Sequence, residues 1–101
     1  MRRNRMSAPV PARFLARVEG RVQGVGYRYF VHRRACELHV AGSVRNLPGG
    51  GVQVDAEGTR EALDALAQDL HRGPPASRVE RVLLEWHPPR GAREFRIEAG
   101  W

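Results

Sequence analysis

Between Arg13 and Glu19 the chain alternates, with Phe14, Ala16 and Val18 on one face and Leu15, Arg17 and Glu19 on the other, a two-residue period that predicts a strand ending at Gly20. From Tyr27 to Leu38 the period changes. Tyr27, Phe30, Val31, Ala35 and Leu38 recur at three- and four-residue spacing while Arg28, His32, Arg33 and Glu37 fall largely elsewhere, as on an amphipathic helix. Ala41 to Leu47 predicts a short strand stopped by Pro48-Gly49-Gly50-Gly51. Val52 to Gly58 alternates cleanly again, so the two strands flank a glycine-rich hairpin. Thr59 followed by Glu61 and Ala62 suits a helix start, and Leu63, Leu66, Ala67 and Leu70 supply its apolar stripe until Gly73-Pro74-Pro75 ends it. Val79, Val82, Leu84 and Trp86 lie on or near a two-residue period before His87-Pro88-Pro89, and Phe95 with Ile97 predicts a last short strand.

The order βαββαβ plus a short C-terminal strand is that of an α+β, ferredoxin-like split βαβ sandwich, an antiparallel sheet with two helices on one face. A strand–helix–strand crossover makes the first and second strands parallel, so the loop after Gly20 and the residues around Asn46 meet at one edge of the sheet. Residues 1–11, with Pro9, Pro11 and no periodicity, are expected to be a disordered basic leader, leaving 12–101 as one domain. A length of 101 residues suits one core and, from size alone, a monomer.

Composition narrows the class. Hydrophobic residues at 42% and charged residues at 28% are ordinary for a globular protein, and no apolar run approaches the roughly 18 residues of a membrane span. No apolar stretch follows the arginines of the amino end, so a secretory signal is not expected and a cytoplasmic location is. The single cysteine, Cys36, agrees with a reducing compartment and is expected to be buried or half-buried. The net charge of +6 rests on 17 basic residues, all of them arginine. Arginine is the better bidentate ligand for phosphate, which suits an anionic partner, but a bias spread over the whole chain singles out no residue.

Position does. The run Gly20-Arg21-Val22-Gln23-Gly24-Val25-Gly26 lies between a strand and a helix, where glycines let successive backbone N–H groups turn inward as an anion cradle. The following helix adds unpaired N–H groups and the positive end of its dipole. Arg28, in the first turn, leans back toward the cradle as a bidentate clamp, and inorganic phosphate or sulfate is expected to bind there. Asn46, at the end of the parallel strand, can accept from and donate to one water at once.

The run Gly20-Arg21-Val22-Gln23-Gly24-Val25-Gly26-Tyr27-Arg28 resembles the signature of the acylphosphatase family, and Gly42-Ser43-Val44-Arg45-Asn46 resembles its second signature. Gly73-Pro74-Pro75-Ala76-Ser77-Arg78-Val79 and Phe95-Arg96-Ile97 are similar to further family segments, so the resemblance covers roughly residues 13–98. It implies hydrolysis of the carboxyl–phosphate bond of acyl phosphates to a carboxylate and inorganic phosphate, with no metal and no cofactor. It also implies that Arg28 binds the phosphate within a loop of Arg21, Val22, Gln23, Gly24, Val25, Gly26 and Tyr27, and that Asn46 orients the water. Three positions depart from the family pattern: Ser43 stands where an aromatic is frequent, Tyr27 where phenylalanine is, and His39 where glycine is. The first is expected to loosen packing near the second strand, and the last to carry a modest cost if its backbone is left-handed.

Other chemistries have weaker support. His32, Cys36 and His39 have metal-ligand spacing on a continuous helix, but the helix is expected to end before His39. Asp55 and Glu57 share one strand face and are expected to be solvent-facing charges. His71 and His87, near element ends, are expected to be solvated. The main rival from another class is a ferredoxin-like RNA-binding module. Gly24 to Val31 faintly resembles the aromatic signature of such modules but sits on the wrong element, because the third strand, where that signature belongs, has no aromatic residue. A phosphate-binding module without catalysis is a further alternative. Neither a membrane nor nucleic acid is an expected partner, and the basic leader is expected to contact nucleic acid only weakly.

Overall fold

A computed structural model of the protein describes residues 10–99. Strand β1 (Pro11–Arg21) is longer than its alternating core predicts. Pro11 and Ala12 extend its pairing to Thr59 and Gly58, so Pro11, assigned above to the leader, belongs to the sheet; residues 1–9 lie outside the described part. At the other end a bulge between Glu19 and Gly20 carries the strand on to Arg21. The bulge needs glycine, because a Cβ at position 20 would collide with the carbonyl of Arg78.

The remaining elements are α1 (Tyr27–Glu37), β2 (Ala41–Asn46), β3 (Val52–Thr59), α2 (Arg60–Arg72), β4 (Arg78–His87) and β5 (Phe95–Ile97). The sheet order is β4-β1-β3-β2-β5. Both β1 and β2 pair antiparallel with β3, so they run the same way and end at the same edge. The sheet is mixed, however, and not antiparallel throughout, because β5 pairs parallel with β2. The reason lies in residues 88–94, which carry the chain from the end of β4 to the far edge of the sheet. β4 ends beside Arg13, at the end of the sheet where β2 begins, so a strand started there follows β2.

Both helices cover one face, and the α+β ferredoxin-like reading holds. Phe14, Ala16, Val18, Val44, Val52, Val54 and Ala56 are buried beneath Tyr27, Phe30, Val31 and Ala35 of α1 and Leu63, Leu66 and Leu70 of α2. Each fully buried aliphatic or aromatic side chain contributes about 1.5–3 kcal/mol. Thr59 caps α2 by accepting from the N–H of Ala62 at 3.1 Å. The hydroxyl of Tyr27, absent from phenylalanine, donates to the carbonyl of Leu70 at 2.8 Å and ties the start of α1 to the end of α2. Asp69, unforeseen in the stripe of α2, is buried; it joins the helices through Arg34 of α1 at 2.7 Å and also pairs within α2 with Arg72 at 2.7 Å. No described helix is long and apolar enough to cross a membrane.

The other sheet face overturns the expectation that Asp55 and Glu57 face solvent: both are buried. Asp55 is clamped by Arg13, whose Nε and Nη2 lie 2.8 and 3.1 Å from its two oxygens, and by Arg90 at 2.7 Å. Glu57 accepts from the backbone N–H groups of Gly91 and Ala92 at 2.7 and 3.2 Å. Residues 88–94 cover both carboxylates on the way to β5, which strand alternation could not reveal. Cys36 corrects another expectation, being exposed on α1 with its Sγ 3.8 Å from Nε2 of His32. His71 is exposed as expected.

His39, beyond the end of α1, has φ 59° and is the one described non-glycine residue with positive φ, so the left-handed cost is present. Such a conformation costs a residue with a Cβ about 1–2 kcal/mol. His39→Gly is expected to raise the unfolding free energy by about 1 kcal/mol, read from urea denaturation. Asp55→Ala leaves Arg13 buried with no carboxylate partner and is expected to cost about 3 kcal/mol in the same measurement, against less than about 0.5 kcal/mol for a solvated charge. Burial alone pushes the Glu57 carboxyl up, but the N–H groups of Gly91, Ala92 and Arg90 and the charge of Arg13 outweigh it and hold the pKa below its ordinary value. Glu57 therefore contributes stability that is complete above the unfolded-chain pKa of about 4.3 and is lost as pH falls through the folded value. The urea midpoint should drop below about pH 4.3, and more shallowly in Glu57→Gln.

Candidate active site

The chain between β1 and α1 turns through two glycines in left-handed conformation, Gly24 at φ 74° and Gly26 at φ 80°. Gly26 is the N-cap of α1, and no side chain caps the helix. Phe30 donates back to the carbonyl of Gly26 at 3.0 Å, which leaves the N–H groups before it without intrahelical acceptors. The first turn holds no acidic residue, so the positive end of the helix is uncompensated. Backbone donors and a dipole thus converge on the loop, an arrangement that favours an anion.

Several of the loop residues expected at the phosphate also hold the fold together. Val22 is fully buried and Val25 packs on the core. The side chain of Gln23 donates to the carbonyls of Leu47 and Gly51, both at 2.8 Å, and so ties the loop to the β2–β3 hairpin. Tyr27 is buried with its hydroxyl committed to Leu70, and burial pushes that hydroxyl's pKa up. Arg21 does not join the group: it is exposed at the end of β1, paired in register with Arg78.

Val22, Gly24, Gly26, Tyr27, Arg28, Tyr29 and Asn46 line a cavity of about 150 Å³. Arg28 and Asn46, eighteen positions apart in sequence by their numbers, therefore share one site, as the parallel course of β1 and β2 requires. Arg28 is half-buried, and its Nη1 donates to the backbone carbonyl of Glu98 at 2.9 Å. The Oδ1 of Asn46 is buried and has no hydrogen-bond partner among the described residues. An acceptor left so costs about 1–3 kcal/mol.

Sequence reasoning missed two members of this site. The Glu98 carbonyl is a main-chain atom and leaves no mark in the residue pattern. Tyr29 did leave one, as an aromatic residue in the first turn of a helix but outside its apolar stripe.

Other places on the surface do not compete. A concavity of about 560 Å³ on the open sheet face is lined by Ser43, Asp55, Glu57 and Arg90 among others. Its buried carboxylates are already satisfied by Arg13, Arg90 and backbone N–H groups, and Ser43, on this face in register with Asp55 and Arg96, leaves part of its space. The side chains that β3 turns to this face are Gln53, Asp55 and Glu57, and Trp86 lies on the helix side against Phe14, so the base-stacking platform of an RNA-binding sheet is missing. Among the described residues no three His, Cys, Asp or Glu side chains group as a metal site would need.

Known proteins match this chain in sequence and fold. The family model for acylphosphatases matches residues 14–97. An acylphosphatase of Thermus thermophilus is 46% identical over 85 residues, covering 84% of this chain and 97% of that protein. One of Thermococcus kodakarensis is 47% identical over 81 residues, covering 80% and 89%. The crystal structure of acylphosphatase from Bacillus subtilis superposes with a TM-score of 0.84 at 35% identity, covering 86% of this chain and 98% of that one. With a family model that spans most of the chain, relatives of nearly half-identical sequence and a solved structure of the same fold, the chain belongs to the acylphosphatase family.

Proposed function

We propose that the protein hydrolyses acyl phosphates at the cavity between the β1–α1 loop and the end of β2, with Arg28 and the loop N–H groups holding the phosphate and Asn46 placing the attacking water. The observation that carries this reading is that Asn46, whose buried Oδ1 has no partner among the described residues, lines one cavity with Arg28 beside an uncapped helix N-terminus. An acceptor so placed takes a hydrogen bond from a water O–H and leaves the water's lone pair directed at phosphorus.

The chemistry asks little more of the protein. A loose phosphoryl-transfer transition state spreads charge over the equatorial oxygens, and its main requirements are positioning and charge neutralisation. Arg28 supplies a full positive charge and the loop supplies dipoles, so in this reading neither a metal nor a cofactor takes part. Water oxygen bonds to phosphorus as the bond to the carboxylate oxygen breaks. The carboxylate departs with the bonding pair, and a water proton passes to a phosphate oxygen of the substrate, which makes a protein base unnecessary. The tie between Arg28 and the Glu98 carbonyl limits the guanidinium's freedom before substrate arrives, which lowers the cost of ordering it.

Hydrolysis of benzoyl phosphate in excess chelator tests the proposal. Wild-type turnover should persist, Asn46→Ala should lower kcat about a hundredfold while inorganic phosphate still inhibits, and Arg28→Ala should lower kcat/KM by about 10² to 10³ with phosphate inhibition weakened. A folded wild-type protein without turnover, or turnover abolished by chelator, would contradict it.

A further inference from the structure

Few large apolar side chains stand exposed in the described part of the chain: Val10, Tyr29, Leu83 and Trp86. Trp86 is covered in part by Arg60, whose guanidinium carbon lies 3.9 Å from the ring centroid, and it packs edge-on against Phe14. Leu83 faces outward from β4 beside Leu15 on the open sheet face, and Val10 precedes β1. Tyr29 differs from all three. It is 71% exposed, takes part in none of the aromatic pairs of the described residues, and lines the cavity that holds Arg28 and Asn46. An exposed aromatic ring is ordinary by itself, but this one stands beside Arg28 and Asn46 at the cavity, where a bound molecule can reach its face.

The size of the cavity sets which part of that molecule meets the ring. About 150 Å³ is half the lower bound of roughly 300 Å³ for pockets that enclose whole organic ligands, so the site takes in the phosphate and leaves the acyl group outside. Nothing lies within 4 Å of where a Cβ would stand on Gly24 or Gly26, so the rim beside the loop is open. Side chains in the first turn of a helix lean back over its N-terminus, which places the Tyr29 ring over that rim.

We infer that Tyr29 is the specificity residue for the acyl group, a flat apolar platform that favours aromatic acyl phosphates over short aliphatic ones; the inference rests on the acyl-phosphate reading above. The phosphate is held by the cradle whatever the acyl group, and the ring adds affinity only for a group wide enough to stack on it. Discrimination then arises from contact at the mouth, without an enclosing acyl pocket.

The test compares kcat/KM for benzoyl phosphate and acetyl phosphate in wild-type protein, Tyr29→Ala and Tyr29→Phe. The benzoyl-to-acetyl ratio should fall roughly three- to tenfold in Tyr29→Ala, chiefly through KM for benzoyl phosphate, and should be kept in Tyr29→Phe, because stacking needs the ring and not the hydroxyl. An unchanged ratio in Tyr29→Ala, including a uniform fall for both substrates, would overturn the inference while leaving the acyl-phosphate reading intact. Wild-type protein that turns over neither substrate would overturn both.

Discussion

Two strands that run the same way end at the same edge of their sheet, and the site depends on that constraint. The α1 crossover sets β1 and β2 parallel with β3 between them. The loop that follows β1 and the last residue of β2 are thereby placed at one edge, while the turn into β3 arrives there from the other side. Gln23 turns this neighbourhood into a fixed geometry, since its amide bonds to carbonyls on both sides of the hairpin. Arg28 and Asn46 consequently belong to a helix end and a strand end, elements that hold side chains more closely than loops do.

The two faces of the sheet are closed by different means. On the helix face the contacts are apolar, and side-chain volume decides them. On the other face a charged group, Arg13 with Asp55 and Arg90, fastens residues 88–94 across the sheet and delivers the chain to β5. A buried ion pair is a poor source of net stability, because desolvation offsets much of its attraction. Here it fixes a path: the parallel register of β5 on β2 follows from where those residues are held, and Glu98, next after β5, is brought to Arg28 by that register.

Hydrophobic periodicity carried most of the fold. Every helix and strand was legible from it, to within two residues at the ends of β1 and one or two elsewhere, and the glycine loop, Arg28 and Asn46 stood out because unusual residue types sat at predictable element boundaries. What was hidden has a common cause. Periodicity separates the two faces of a strand but does not say which is covered, so Asp55 and Glu57 were placed on the correct face and given the wrong environment. Asp69 was hidden for the converse reason, since a charge in an apolar stripe breaks the pattern that reveals the stripe. The parallel pairing of β5 depended on the path of residues 88–94, which contain no periodicity to follow.

The contact between Arg28 and Glu98 has a bearing on how such a site evolves. Its acceptor is a carbonyl of the main chain, so every amino acid at position 98 provides the same oxygen. Mutation at that position changes a side chain and leaves the tether in place, and selection for the tether acts instead on whatever keeps the strand in register beside β2. A site held in this way can let one of its contact positions drift freely while the contact itself is inherited unchanged.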